Sequence, residues 1–184
     1  MKKLLFFSRV CVLTLVIGSL VSCNKDDNGQ NNGGTNNGNG GSGGGGGTLT
    51  GYVDLGLPSG TKWKDSNENG NGTGFYTFDE AVSAFGDKLP TKEQFEELKD
   101  NCTWEWQNNG GYKVTSSNGN SIVLLAAGCR DCSGDVNSVG SHGYYWSSTS
   151  YDSDYAWHLD FFSGYLSMYY CYPCNGLSVR LVQK

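Results

Sequence analysis

Two Cys-x-x-Cys pairs stand out, Cys129 with Cys132 and Cys171 with Cys174, and a fifth thiol, Cys102, precedes them. The second pair lies in "MYYCYPC", where Tyr169, Tyr170 and Tyr172 crowd around the sulfurs. Thiols spaced in this way can hold zinc as four thiolates, close disulfides, or stand as separate groups. The 38 residues between the pairs far exceed the interval of a zinc ribbon, and no knuckle-like glycines flank either pair, so no metal is expected. Disulfides suit an exported protein, but with Cys11 and Cys23 of the N-terminal segment set aside the remaining five thiols leave one over, and the choice between pairing and separate thiols stays open. The histidines are His142 and His158, and neither belongs to a Ser/Cys–His–acid motif. No catalytic residue, cofactor or enzymatic activity is expected.

Alternation is the next signal. In "AWHLDFFSGYLSMYY", Trp157, Leu159 and Phe161 alternate with His158, Asp160 and Phe162. Past a turn at residues 163–164, Leu166, Met168 and Tyr170 alternate with Tyr165, Ser167 and Tyr169. A period of two predicts a hairpin with one apolar and one mixed face. Tyr, Ser and Asp are favoured recognition residues, because tyrosine gives broad contact and a hydrogen-bonding tip at low entropic cost. Candidate ligand contacts in and around this hairpin are Tyr151, Asp152, Tyr155, His158, Asp160, Phe162, Tyr165, Ser167, Tyr169, Tyr170, Cys171 and Cys174. The same aromatics could serve only to pack a sheet surface through cross-strand pairs.

These residues need a scaffold. "YVDLGLPSGTKW" reads as a strand and a turn. "TFDEAVSAF" and "TKEQFEELKDNC" each open on a capping box, Thr77 with Glu80 and Thr91 with Gln94. They carry Phe78, Ala81, Val82 and Phe85, then Phe95 and Leu98, at helical spacing. After Cys102 come short strands and glycine-rich turns, so the fold class is α+β, with two short helices and a strand- and loop-rich C-terminal half. With a net charge of −5 and no basic stripe, nucleic acid is not an expected partner.

The chain begins with Lys2, Lys3 and a mostly apolar stretch ending in "LVSC", which resembles the lipobox of bacterial lipoproteins. Residues 1–22 are then a signal peptide, and Cys23 is the lipidated N-terminus. "NKDD" after it resembles the acidic surface-export signal of Bacteroidetes lipoproteins. Residues 28–47 are Gly, Asn, Ser, Thr and one Gln, a composition that buries no apolar surface and gives a coil reaching roughly 25 Å. Residues 23–47 thus form an anchor, export signal and tether, and residues 48–184 the domain. The expected location is the outer membrane, lipid-anchored and exposed at the cell surface.

"YVDLGLPSGTKW", "LPTKEQFEELKDNCTWEW", "LLAAG", "GYYWSS" and "GLSVRLV" stand in this order. Together they resemble the Fibrobacter succinogenes major paralogous domain of Bacteroidetes surface lipoproteins. The resemblance implies a C-type lectin-like fold of the formylglycine-generating-enzyme type, with paired first and last strands and long loops bearing a binding surface. That scaffold also hosts variable proteins of diversity-generating retroelements, which randomise adenines in codons near the C-terminal end. In residues 129–174 there is no Lys, Glu or Gln, although these types fill 20 of the other 138 positions. An AAC codon with randomised adenines can become Tyr, His, Asp, Asn, Ser, Cys, Phe, Gly or several others, but never Lys, Glu, Gln or a stop. Trp146, Trp157 and Met168 cannot arise in this way and are expected framework. A strand-rich segment short of Lys and Glu on conformational grounds is the plainer reading. Cys171 and Cys174 lie too near "GLSVRLV", and too close together, to inherit the enzyme's cysteine pair; the triplets Glu-Pro-Asn and Trp-Asn-Asp of calcium-dependent lectins do not occur. The expectation is a surface lipoprotein that binds an extracellular macromolecule or glycan through a Tyr-rich, diversified face. An undiversified adhesive or structural lipoprotein comes second and an enzyme third.

Overall fold

The computed structural model describes residues 51–184. The expected signal peptide, Cys23, "NKDD" and the tether lie outside the described residues, as do residues 48–50 of the expected domain.

The chain is mixed α+β and mostly strand. β1 (Tyr52–Asp54) and β2 (Lys62–Lys64) precede helices α1 (Phe78–Phe85) and α2 (Lys92–Asn101). Then come β3 (Cys102–Gln107), β4 (Gly111–Ser116), β5 (Ser121–Leu125), β6 (Cys129–Arg130) and β7 (Val136–Asn137). β8 (His142–Ser150), β9 (Ala156–Phe162), β10 (Tyr165–Cys171) and β11 (Val182–Gln183) complete the order. The strands form small antiparallel sheets, β1-β2-β11, β3-β4-β5, β8-β9-β10 and the pair β6-β7.

Both capping boxes form as the spacing predicts. Thr77 and Thr91 accept from the backbone N–H of Glu80 and Gln94, whose side chains accept in return from the cap N–H groups. Each box satisfies N–H groups that the first helical turn leaves unpaired. Phe95, Leu98 and Ala81 are buried, whereas Val82, expected on the inner stripe, is exposed because an eight-residue helix rests only a narrow face on the molecule. The first and last strands do not pair with each other: β11 joins β2, whose other edge carries β1.

Two apolar clusters form the core. The larger joins Trp63, Phe95 and Leu98 to Val114, Leu124, Tyr145, Leu159 and Phe161. The smaller gathers Tyr76, Ala81, Leu89, Trp146, Ala156, Leu177 and Val179. Arg180, 1% exposed, ties the closing segment to two earlier stretches of the chain by donating to Asn67 Oδ1 and to the carbonyls of Lys64 and Val123. Carbonyl and amide oxygens thus satisfy this buried guanidinium, which otherwise would carry a large desolvation cost. Among the described residues no helix is long and apolar enough to cross a membrane.

Candidate ligand-binding face

The hairpin forms with the expected alternation. β9 and β10 meet around residues 163–164, and Gly164 takes φ +83°, a left-handed conformation that favours glycine. Tyr112 of β4 holds this turn from behind: its hydroxyl donates to the Phe162 carbonyl at 3.2 Å and accepts from the Gly164 N–H at 3.1 Å. On the inner face Leu159, Phe161 and Met168 join the larger cluster, with Tyr145 beside them from β8. Gly143, opposite Phe161, has no room for a side chain, since a Cβ there would run into the Phe161 ring.

The outer face is a grid of three rows across β8, β9 and β10. His142, Phe162 and Tyr165 form the first row, with Phe162 and Tyr165 stacked at 4.8 Å and His142 at 5.0 Å from Phe162. Tyr144, Asp160 and Ser167 form the second. Trp146, His158 and Tyr169 form the third. Cys171 and Ala156 follow at the far end, which the smaller core cluster covers. The face is therefore open at the first row and covered over Trp146 and His158 in the third. Phe162, Tyr165 and Tyr169 are exposed, and Asp160 and Ser167 are half-buried.

This arrangement corrects several expectations. His158 is 3% exposed beneath Trp146 and Tyr169, so it is no ligand contact; burial holds its pKa down at about 3 and keeps it neutral. Tyr170 points to the inner side, stacked on Tyr151 at 4.1 Å and edge-on to Trp157. Cys171 packs against the smaller cluster. Cys174 is joined to Cys132 by a disulfide, Cα–Cα 5.1 Å, which removes two of the thiols that a four-thiolate zinc site needs. Among the described residues no group of His, Cys, Asp and Glu could hold a metal. Trp146 and Met168 are buried as framework should be, whereas Trp157 is half-buried with the Lys92 ammonium 4.5 Å from its ring centre.

Tyr151, Asp152 and Tyr155 belong to a different place, the β8–β9 connection. Asp152 Oδ1 accepts from the N–H groups of Asp154 and Tyr155, which shapes that turn. The Tyr155 hydroxyl donates to that of Tyr172 at 3.2 Å, and this bond pushes the Tyr155 pKa up to about 12. The twelve candidates thus divide between the grid, the Tyr151–Tyr155–Tyr170 patch and the disulfide end.

Asp160 is the group whose environment departs most from ordinary solvation on the open part of the grid. Its Oδ1 is buried without a hydrogen-bond partner, and burial pushes its pKa up to about 6. The Ser167 hydroxyl across from it donates instead to the Met168 carbonyl at 3.2 Å. His142, missed as a contact because it precedes the hairpin, borders the first row; burial lowers its pKa. Ser141 Oγ lies 3.0 Å from His142 Nδ1, but it also lies 3.0 Å from the Ser138 carbonyl, to which it donates. The sequence signal for His142 and Tyr144 was their alternation in "SHGYYW", the same period of two that marked the hairpin.

Residues 93–182 match the family model described as a domain of unknown function, DUF8237. The chain is similar to that family from within α2 to the start of β11, a span that includes the whole grid and the disulfide. No curated protein and no solved structure matches it.

Proposed function

We propose that this protein is a cell-surface lipoprotein that binds an extracellular ligand through the open part of the β8-β9-β10 face, carried on a C-type lectin-like scaffold. The retroelement reading of residues 129–174 belongs to the same proposal. One observation carries it: the hairpin is secured from its inner side by Leu159, Phe161, Met168 and the Tyr112 hydroxyl, so outer side chains can change without moving the backbone. A face supported in this way is preorganised for recognition, and Tyr165 and Tyr169 offer broad, rigid contact area while Ser167 offers adaptable hydrogen bonding. Asp160, Phe162, Tyr165, Ser167 and Tyr169 are its contacts, with Tyr151, Asp152 and Tyr155 as a neighbouring patch. Catalysis, a cofactor and a metal form no part of the reading.

The test replaces Tyr165, Ser167 and Tyr169 together by Asn. Substitutions at exposed Tyr165 and Tyr169 and at half-buried Ser167, none of them in the core, should together cost about 1–2 kcal/mol, so the melting transition should move by under about 10 °C. Binding to a ligand selected from peptide and glycan libraries should be lost. Retained binding, or an unfolded variant, overturns the recognition reading. The diversification part is checked in DNA, where a neighbouring reverse-transcriptase gene and a near-copy repeat differing at adenines are expected.

A further inference from the structure

We propose that the centre of this face is a socket for a positively charged nitrogen, the lysine ammonium or arginine guanidinium of a partner protein, with Asp160 as its anchor. The inference rests on the recognition reading above and names the chemistry of the guest. Its basis is an unmet demand. Asp160 Oδ1 is buried and accepts no hydrogen bond, and the side chain directly across on β10, Ser167, has its hydroxyl turned to a main-chain carbonyl. A buried acceptor left in this state costs free energy, which a donor recovers once the half-buried Asp160 side chain turns Oδ1 outward to meet it.

Charge then selects the donor. β8, β9 and β10 contain no Lys or Arg, and residues 129–174 hold five Asp against a single Arg130. Arg130 stands on β6, where its backbone pairs with Gly176, and Lys92 is committed to the Trp157 ring on the opposite face. No cation of the chain itself answers Asp160 from these strands. A sugar hydroxyl would satisfy the oxygen but leave the charge, whereas a cationic donor answers both, and charge-assisted bonds are roughly twice as strong as neutral ones. Phe162, Tyr165 and Tyr169 occupy adjoining positions and are exposed, so a seated guest would be ringed by aromatic contacts that keep water from that bond and raise its value, as around an interface hot spot. The other titratable groups facing Asp160 are His142 and Tyr144 from β8, His158 from β9, and Tyr165 and Tyr169 from β10.

The test titrates the full chain with N-acetyl-arginine amide, its neutral analogue N-acetyl-citrulline amide, and methyl glucoside, following backbone amide and Asp160 carboxyl signals by NMR. The arginine probe should shift the Tyr144, Ser167 and Tyr169 amides and move the Asp160 titration to lower pH. Citrulline amide should bind at least about tenfold more weakly, and Asp160→Asn should weaken the arginine probe by about the same factor, the scale of a lost hydrogen bond to a charge. Binding of citrulline amide or methyl glucoside as tight as that of the arginine probe overturns the inference. So does unchanged arginine binding by Asp160→Asn, or no shift up to about 500 mM, a concentration several times the Kd of roughly 6–80 mM that one charge-assisted contact of about 1.5–3 kcal/mol implies. The native Asp160 titration with and without probe decides the matter even if the variant fails to fold. A library-selected ligand that needs Tyr165, Ser167 and Tyr169 but not Asp160 ends this inference while leaving the recognition face intact. If neither substitution matters, both readings fall.

Discussion

Asp160 and His158 sit two residues apart on one face of β9, and burial acts on them in opposite senses. His158 is neutral in the folded protein down to about pH 3, while the unfolded chain takes a proton near pH 6.5, so its contribution to stability is lost as pH falls below 6.5. Asp160 keeps its proton up to about pH 6, while the unfolded chain releases it near 3.8, so its contribution grows as pH falls from 6 towards 3.8. The two offset each other between these values. The native protein should therefore hold a nearly level melting temperature across that window and lose it at lower pH. Asp160→Asn removes the compensating half: its melting temperature should decline steadily as pH falls below that of histidine titration. Above neutral pH its unfolding free energy should exceed the native value by about 1–2 kcal/mol, because the native fold then holds a half-buried, uncompensated charge that solvent screens only in part. Thermal and urea melts at five pH values distinguish the two curves, and parallel curves refute this assignment.

The hairpin owes its register to its turn and its position to contacts from other elements. Alternation and the Ser163–Gly164 pair were legible in the sequence, since both follow from local geometry. The grip of Tyr112 was not, because β4 lies far earlier in the chain. Beyond β10, the Cys132–Cys174 disulfide closes a span of 42 residues that includes all three strands of the grid. Loop closure of this length constrains the unfolded chain by about 4 kcal/mol in the entropic model. Cys132→Ser with Cys174→Ser should lower unfolding free energy by an amount of that order in urea titrations, with little change in the folded hairpin's amide spectrum. An unchanged midpoint would show that the bridge adds nothing to stability. Cys174 is thus a structural position, although composition had grouped it with the recognition residues.

At the scale of the whole molecule, the face matters only if the domain reaches its partner. The expected lipid at Cys23, the "NKDD" signal and the glycine-rich tether would hold it at the cell exterior with room to turn. Cys23→Ala should release the protein from membranes in fractionation. Changing Lys25, Asp26 and Asp27 to Ala should leave it membrane-bound but protected from protease added to intact cells. Unaltered protease access after the triple change rules out the surface signal.

The two capped helices, the hairpin, its alternation and the mixed α+β class all followed from residue order, because caps, turns and side-chain direction depend on close neighbours in the chain. Which half of the outer face meets solvent did not. His158, Asp160 and Phe162 occupy equivalent positions in the alternation, yet one is sealed, one half-covered and one open. That gradient comes from Tyr76, Ala81, Leu177 and Val179, which arrive from distant parts of the chain to cover Trp146 and Ala156 and stop short of the first row. Long-range packing also paired Cys132 with Cys174 rather than gathering four thiols, and set β11 against β2. Periodicity assigns a side chain to a face, but burial is set by whatever else packs there, and no local pattern carries that information.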